Sequence, residues 1–515
     1  MRLSAAARPA PTFQEMRKLL FALLCCLSFA VHAELDPAAV RQIAAEESED
    51  KIAAIRKLAL TAEPEALALL QQLADGTLKD GNGDDITINN RVRRELDGAL
   101  AVLKLIDPDA KVRYKAVKEI ATNVDAGMAP MLAKARDRET EPKIRALLTE
   151  VHALATLKDA DPQIRLAAAA ALATSADPNT KAVLKAQSEP ANEAEVDVRR
   201  AAFRSYLAVK DRLTLAETLG RIFSGLSLGS ILLLAALGLA ITYGVMGVIN
   251  MAHGELLMIG AYATYGMQGL FRAHFPAQED WYLLAAVPVA FFAAAAVGIL
   301  LERTVIRWLY GRALETLLAT WGLSLMLIQA ARVIFGAQNV EVANPAWMSG
   351  GLEILPSIVL PLNRIVIVGF ALFVLALVWV LMNRTRLGMF VRAVTQNRGM
   401  AGCVGVPTGR IDTVAFALGA GIAGLGGVAL SQIANVGPDM GQGYIVDSFM
   451  VVVLGGVGQL AGAVWAALGL GIVTKFIESW AGAVIAKIVV LVFIIMFIQK
   501  RPQGLFALKG RFVEN

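Results

Sequence analysis

The apolar positions divide the chain into two regions with different patterns. Residues 34–212 combine Ala-rich helical stretches with charged residues and Asp-Pro steps, whereas residues 220–500 are almost continuous apolar runs separated by Gly and short charged loops. The first pattern is typical of helices with one face in water. Apolar runs of about 20 residues are long enough to cross a bilayer as helices. The pattern therefore predicts an all-α protein in which a polytopic helical membrane bundle follows a soluble helical domain.

Nine apolar runs in the second region are candidates for membrane spans. They cover residues 222–243, 252–271, 282–301, 313–335, 364–383, 411–433, 444–459, 461–480 and 483–499. Because several runs are near the lower length limit, we expect eight or nine spans, with one re-entrant segment in the smaller count. A hydrophobic content of 56% is too high for a soluble protein of this length and agrees with a membrane bundle.

A short apolar run near the N-terminus has the features of a signal peptide. Arg17 and Lys18 precede the run 19–29, and small residues occupy the positions before Glu34 that a signal peptidase reads. We expect a signal peptide over residues 1–33, with Met16 as a possible true start; an uncleaved anchor is the alternative. Residues 34–212 would then form a periplasmic domain of a bacterium, and residues 213–515 the membrane domain.

The exported region repeats one theme, a polar or Pro turn, then Val or Ile before Arg, then an Ala-rich helix. The theme recurs at residues 107–121, 141–155, 161–173 and 195–208. These segments resemble HEAT repeats, which are stacked helix pairs that share a core; an ordinary helical bundle is the alternative. The acidic stretch 80–85 lacks the Glu that a calcium loop needs at its twelfth position, so we interpret it as a flexible loop.

The basic residues favour one orientation of the bundle. Lys and Arg are concentrated near 303–312, in 384–410 and in 500–511, whereas 336–363 has none. Because Lys and Arg near span ends resist translocation, the three basic segments should lie in the cytoplasm. Export of the N-terminal domain leads to the same orientation, with the C-terminus cytoplasmic. The net charge of +5 follows from these loops and gives no argument for nucleic acid.

Polar side chains interrupt the apolar runs at two places. They are Thr242, Tyr243, Asn250, His253 and Glu255 in the first two runs, and Thr316, Thr320 and Ser324 on one face of the fourth. Ionisable groups in a membrane are costly and often functional. Helical spacing puts Asn250 and His253 on one face. Hydroxyls and amides suit a small, polar, uncharged solute, so we interpret these residues as a candidate substrate pathway; the alternative is that they only bond neighbouring helices.

Small residues recur where helices should pack closely. Gly419, Ala423 and Gly427 form a row on one helix face, and Gly455, Gly456 and Gly458 follow in the next run. Close backbone approach supplies much of the packing between helices in lipid. The stretch around Gln459 is expected to break its helix.

The loop 384–410 is basic and rich in glycine. Its part 388–403 has a helical pattern but too little apolar length to span. We interpret it as a short helix at the cytoplasmic face on which another protein can act; a solvated basic loop is the alternative.

Familiar catalytic and metal-binding patterns are missing from the sequence. Two of the three cysteines, Cys25 and Cys26, lie in the predicted signal peptide, and the four histidines are scattered. The sequence has no phosphate-binding Gly-x4-Gly-Lys-Ser/Thr loop and no His-Glu-x-x-His motif. We therefore expect no metal site, no cofactor bound by this chain and no enzymatic activity.

Four segments resemble permeases of the branched-chain amino acid (Liv/HAAT) class of ABC importers. They are residues 226–268, 384–406, 451–464 and 501–506, and they occur in the family's order over 220–508. The resemblance implies a permease of the bacterial inner membrane, in contact with lipid. It also implies pairing with a second permease subunit, two cytosolic ABC ATPases that hold Mg-ATP, and a periplasmic solute-binding protein.

The same resemblance implies that the loop 384–410 contains the coupling helix that rests on an ATPase. The loop residues that carry this implication are Arg386, Gly388, Arg392, Asn397, Gly402 and Gly405. Within the class, the N-terminal signature and the exported extension are most similar to the urea-transporting permeases.

Four hypotheses follow for the function. The first is the permease subunit of an ATP-driven urea importer. The second keeps the class but has branched-chain amino acids or short amides as substrates. The third is an ATP-independent urea channel, against which the coupling-like loop argues. The fourth is a membrane-anchored scaffold or sensor, for which nine spans are far more than an anchor needs.

Overall fold

The computed structural model describes residue 43 and residues 47–506, apart from 62–63, 79–85, 87, 123 and 356–357. The predicted signal peptide and the acidic stretch 80–85 lie outside the described residues. Nearly all of the described chain is helical, and its one sheet there is a two-stranded antiparallel hairpin, β1 (Gly351–Leu355) and β2 (Ile358–Pro361). The predicted all-α class is therefore confirmed.

The chain divides into two compact units, residues 1–211 and 212–515. The helices of the first unit are α1 (Ser48–Thr61), α2 (Pro64–Ala74), α3 (Asn90–Leu103), α4 (Ala110–Thr122), α5 (Ala129–Arg138), α6 (Pro142–Thr156), α7 (Pro162–Ala171) and α8 (Pro178–Gln187). Two of them, α6 and α7, begin at the Pro of a predicted turn. Asp161 caps α7 by accepting a hydrogen bond from the Gln163 N–H at 2.8 Å.

An ion pair of the same form occurs twice in this unit. Arg165 donates two hydrogen bonds of 2.8 Å to the carboxylate of Glu193, and its third nitrogen donates to the carbonyls of Asp159 and Ala160. Arg113 binds Glu139 in the same way and also donates to two preceding carbonyls. Both pairs are shielded from solvent. The recurrence agrees with a repeat architecture; the HEAT-like assignment itself stays a prediction.

These pairs make the first unit sensitive to acid. The hydrogen bonds from Arg165 lower the pKa of Glu193 from its ordinary value of 4.5 to about 2, and those from Arg113 lower the pKa of Glu139. In the unfolded chain both carboxyl groups take up protons near their ordinary pKa. The contribution of Glu193 to stability is therefore complete above about pH 4.5 and is lost as the pH falls towards about 2, and that of Glu139 is lost in the same direction.

We expect Glu193→Gln to destabilise the first unit at neutral pH and to flatten its pH dependence between about pH 4.5 and 2, because the variant has no carboxylate to protonate. Hydrogen exchange of α7 and α8 in the detergent-solubilised full chain measures both effects. The matched control is Glu189→Gln, an exposed residue close by. Equal acid sensitivity of the Glu193→Gln and unaltered proteins would contradict the role of this ion pair.

The second unit is built from long apolar helices. They are α9 (Val196–Met246), whose C-terminal part belongs to this unit, α10 (His253–His274), α11 (Tyr282–Thr304), α12 (Ala313–Phe335), α13 (Leu362–Arg384), α14 (Arg386–Gln396), α15 (Arg398–Cys403), α16 (Thr408–Ser431), α17 (Met440–Gly455), α18 (Leu460–Ala481) and α19 (Ala483–Lys500). Seven of them are long and apolar enough to cross a membrane, namely α9, α11, α12, α13, α16, α18 and α19.

The two remaining predicted runs also form helices, but they differ from simple spans. The run 252–271 becomes α10, which is largely buried, and the run 444–459 becomes α17, which is only 16 residues long. The helix α17 ends at Gly455, and the backbone breaks over 456–459 as predicted. A polytopic helical membrane protein is confirmed, with seven helices that meet both criteria for a span.

The helix α16 lies at the centre of the second unit, and almost all of its residues from Ala415 onwards are buried. Its small residues allow close approach of its neighbours. Gly419 lies against Gly238 and Thr242 of α9, and a Cβ on Gly427 would lie 2.0 Å from the carbonyl oxygen of Leu257 in α10. Backbone contact of this kind depends on the absence of side chains.

The other predicted packing residues lie beside or beyond this helix. Ala423 is buried in α16. Gly455 packs against Gly462 of α18, and Gly456 and Gly458 lie in the turn after α17 with positive φ.

The loops contact one another in two groups. In one group, the indole N–H of Trp347 donates to the Asp280 carbonyl at 2.9 Å, and Val340 pairs with Val436. In the other, the guanidinium of Arg398 lies over the ring of Tyr310, which joins two of the predicted basic segments. Which group faces the cytoplasm stays a prediction from the charge pattern.

We expect Gly260→Ala to lower the free energy of unfolding by about 1–3 kcal/mol, because overfilling a packed interior forces backbone shifts. A Cβ on Gly260 would lie 2.1 Å from the carbonyl oxygen of Gly424. The midpoint of thermal unfolding in detergent measures the change. Gly266→Ala is the matched control on α10, since nothing lies within 4 Å of a Cβ there. Equal midpoints for the two variants would show that the contact between α10 and α16 tolerates a methyl group.

Candidate functional site

A break between two buried helices is the centre of the candidate site. The helix α9 ends at Met246, residues 247–252 are not helical, and α10 begins at His253. Gly247 has φ of 66°, a conformation that glycine adopts without strain. The side-chain oxygen of Asn250 accepts a hydrogen bond from the Ala252 N–H at 3.0 Å and closes the turn.

The helix α12 supports this broken segment from one side. The Met251 N–H donates to the hydroxyl of Thr320 at 3.2 Å. Thr320 lies about 10 Å along α12 from its start, so the break packs against the interior of a candidate membrane span. Val248 packs in an apolar cluster with Leu301, Ile306 and Phe416. The freed backbone is therefore enclosed by protein, as a bilayer requires.

Glu255 occupies the first turn of α10 and is 0% exposed. Its Oε1 accepts a hydrogen bond of 2.6 Å from the hydroxyl of Ser324, about halfway along α12. Its Oε2 has no hydrogen-bond partner among the described residues. Glu255 therefore places a buried acceptor, without a partner among the described residues, beside the middle of α12.

Two helix N-termini meet at the Glu255 carboxylate. One belongs to α10 and the other to α17, where a Cβ on Gly441 would lie 2.4 Å from Oε2. Helix N-termini carry partial positive charge and direct N–H groups outward, which stabilises a carboxylate beside them. The same ends could face the negative group of a solute.

Asn250 and His253 are directed elsewhere. The ring nitrogen Nε2 of His253 lies 3.0 Å from the carbonyl oxygen of Ala235 and links α10 to α9. The expectation that Asn250 and His253 share a helix face is wrong, because Asn250 precedes the helix and closes the turn before it. The amide nitrogen of Asn250 and Nδ1 of His253 also have no partners among the described residues.

The remaining predicted pathway residues make local hydrogen bonds or pack on neighbouring side chains. Thr316 donates to the carbonyls of Leu309 and Arg312 at the start of α12. Thr242 donates within α9, and Tyr243 lies against the ring of Phe449, both away from Glu255. The structure thus brings Glu255, Ser324 and Thr320 to one contact between α10 and α12.

Tyr262 is a polar residue on this contact that the sequence pattern did not single out. It lies two turns from Glu255 on α10, and its ring stacks on Phe335 of α12 at 4.3 Å. Its hydroxyl is buried without a partner among the described residues. Spacing of seven residues from Glu255 could have indicated the shared face. Beyond it, Arg332 pairs with Asp439 at 2.9 Å.

The predicted coupling segment contains two helices instead of one. α14 and α15 meet at Asn397, whose extended backbone ends the first helix and whose side chain caps the second by accepting the Met400 N–H at 2.9 Å. Arg392 donates to the Met382 carbonyl at 2.8 Å, and Gly388 packs against the same residue. These two residues hold α14 on α13.

The other predicted coupling residues are open to solvent. Arg386, Asn397, Gly402 and Gly405 are exposed.

Within the described part of the chain, no group of His, Cys, Asp or Glu side chains is arranged to hold a metal ion.

Comparison with known proteins gives related permeases. The LivH permease protein of a high-affinity branched-chain amino acid transport system from Salmonella typhimurium is 28% identical over 293 residues, 56% of this chain and 94% of that protein. The BraD protein of Pseudomonas aeruginosa is 29% identical over 293 residues, 56% and 95% respectively. LivH of Methanocaldococcus jannaschii is 25% identical over 291 residues, 54% and 88%. No solved structure matches.

A family model places these similarities within the membrane unit. The model described as the permease component of branched-chain amino acid transport systems matches residues 221–499. That range contains the broken segment, Glu255, α12 and the short helices α14 and α15. The chain therefore belongs to the branched-chain amino acid transport permease family.

Proposed function

We propose that this chain is the translocation subunit of an ATP-driven importer whose solute is urea. The observation that carries the proposal is the carboxylate of Glu255, buried beside the middle of α12, a candidate membrane span, with one oxygen unpaired among the described residues. A buried acceptor without a partner costs free energy. A solute rich in N–H donors would relieve that cost when it passes.

Urea fits this site because it is small, neutral and polar. Its N–H groups can donate to the carboxylate of Glu255, and the hydroxyl of Tyr262 offers a second polar contact further along α10. Glu255 makes no ion pair with the described residues, so a neutral donor can approach it without displacing a cation. The resemblance of the exported extension to urea permeases supports the same choice.

Branched-chain amino acids are the second candidate, and one observation favours them. The N-termini of α10 and α17 meet at Glu255, so a zwitterion could place its ammonium on the carboxylate and its own carboxylate near a helix end. The names of the relatives also mention branched-chain amino acids. Short amides belong to the same range of substrates.

The proposed assembly has this chain at its membrane centre. A second permease subunit would pair with it, two cytosolic ATPases holding Mg-ATP would act on α14 and α15, and a periplasmic protein would deliver the solute. α12 exposes Leu314, Leu318 and Met326 on its outer face, which suits lipid or the second subunit. Family membership speaks against an autonomous channel or a scaffold.

Uptake of labelled urea at micromolar concentration should be lost in cells that lack this chain, and also in cells whose partner ATPase is disabled. Leucine uptake measured in parallel tests the second candidate. Loss of leucine uptake alone would exclude urea as the solute. Urea uptake that persists without the ATPase would exclude the importer and favour a channel.

We expect Glu255→Gln to reduce urea uptake by about tenfold or more at low solute concentration, because hydrogen bonds to charged acceptors contribute about 1.5–3 kcal/mol. The measurement is the initial uptake rate, normalised to the amount of chain in the membrane. Glu315→Gln is the matched control, since Glu315 is exposed at the start of α12 and pairs with Arg312. An unchanged rate in Glu255→Gln would remove this carboxylate from the pathway.

A further inference from the structure

Two buried carboxylates lie close to the start of the short helix α15. Glu302, near the end of α11, and Asp412, in the second turn of α16, are each 0% exposed. Asp412 pairs with Arg398, the first residue of α15, through both guanidinium nitrogens. Glu302 accepts hydrogen bonds from Arg307 and from the hydroxyl of Thr413, the latter at 2.8 Å. The acidic groups thus hold α11, α15 and α16 together.

Tyr310 connects this cluster to the broken segment. The guanidinium carbon of Arg398 lies 5.1 Å from the centre of its ring. Its hydroxyl lies within hydrogen-bonding distance of two acceptors, the sulfur of Met246 at 3.0 Å and Oε1 of Glu302 at 3.3 Å. Met246 is the last residue of α9, so one side chain contacts α15 and the residue that precedes the break.

Apolar contacts reinforce the same connection. Val248 of the broken segment packs with Leu301, Ile306 and Phe416, and Tyr310 and Met246 pack against that cluster. The segment 247–252 therefore rests on the chain that links α11 to α12. Packed interiors rearrange between discrete states instead of deforming smoothly.

The ion pair limits how α15 can move. Separating Arg398 from Asp412 would leave a buried charge without its partner, which is strongly unfavourable. A force on α15 should therefore carry Arg398 and the start of α16 as one body. Because the ring of Tyr310 lies against Arg398, the same movement changes the position of the Tyr310 hydroxyl relative to the sulfur of Met246.

We propose that Tyr310 is a positioning residue that transmits the displacement of α15 to the broken segment 247–252, and so to the turn that carries Glu255. This inference rests on the proposed function, in which partner ATPases act on α14 and α15. Tyr310 contacts no solute. Its effect is on the amount of solute moved for each ATP hydrolysed.

The first test compares Tyr310→Ala, Tyr310→Phe and Trp308→Ala in the complete complex, reconstituted in vesicles with its binding protein. Tyr310→Ala should leave ATP hydrolysis within about twofold and reduce the solute moved per ATP by about fivefold or more, within the range of measured couplings between sites. Tyr310→Phe keeps the ring on Arg398 but loses both hydroxyl contacts, so it should show most of the same loss. Trp308 is exposed in the same segment and should have no effect.

Hydrolysis and transport that fall in parallel, or that both stay unchanged in Tyr310→Ala, would overturn the inference. A loss in Trp308→Ala equal to that in Tyr310→Ala would also overturn it, because the effect would then not depend on the contacts of Tyr310.

The second test follows movement directly by thiol labelling. Single cysteines are placed by Ile249→Cys in the broken segment or by Met400→Cys on exposed α15, with Cys25, Cys26 and Cys403 replaced by Ser. With Tyr310 present, ATP and vanadate should change the labelling rate at both positions. In Tyr310→Ala the change should persist at 400 and be lost at 249.

The outcomes distinguish a failure of the proposed function from a failure of the link through Tyr310. No change at 400 with Tyr310 present would contradict the proposed function itself. A change at 400 without one at 249 in the presence of Tyr310, or an undiminished change at 249 in Tyr310→Ala, would overturn only the link through Tyr310.

Discussion

An interrupted helix inside a bilayer has to satisfy its freed backbone groups within protein, and this constraint organises the membrane unit. The segment 247–252 meets it through the Asn250 side chain and the hydroxyl of Thr320. These hydrogen bonds persist only while Asn250 and Thr320 stay beside the broken segment, so α12 cannot shift freely along α10. The interruption also leaves the first N–H groups of α10 without partners inside that helix, and Glu255 lies in this turn. A local backbone requirement thus determines where an ionisable group can be held in the membrane.

Packing around α16 makes that arrangement rigid. Lipid provides no hydrophobic drive between helices, so stability depends on close backbone contact. Gly260 against Gly424, and Gly427 against Leu257, let α10 approach α16 more closely than side chains would permit. With α10 held in this way, Oε2 of Glu255 stays without a partner among the described residues despite the cost in free energy, since relaxation toward a partner would disturb these contacts. A buried polar group that stays without a hydrogen bond, despite its cost in free energy, is characteristic of sites that bind a transient ligand.

The two ends of the broken region differ in chemistry. Towards Arg332 and Asp439 the contact between α10 and α12 offers Tyr262 and then an ion pair. Towards α15 the contacts are buried carboxylates with arginine and an aromatic ring. The first set suits a polar solute, whereas the second resists separation of the helices it joins. In the proposed function, solute recognition and mechanical connection would use different residues, so substrate preference could change without loss of coupling.

The helical class, the approximate spans and the costly polar groups in apolar runs could be predicted from the sequence alone, because they depend on periodicity, length and local composition. It also singled out Glu255, Ser324 and Thr320. Only the tertiary structure decided that Ser324 binds Glu255, that Asn250 precedes the helix and that Asn397 divides the coupling segment. Tyr310 could not be distinguished from a core aromatic by pattern, and only the seven-residue spacing from Glu255 pointed to Tyr262. Their roles depend on partners distant in the chain, and long-range contacts are not encoded in any local period.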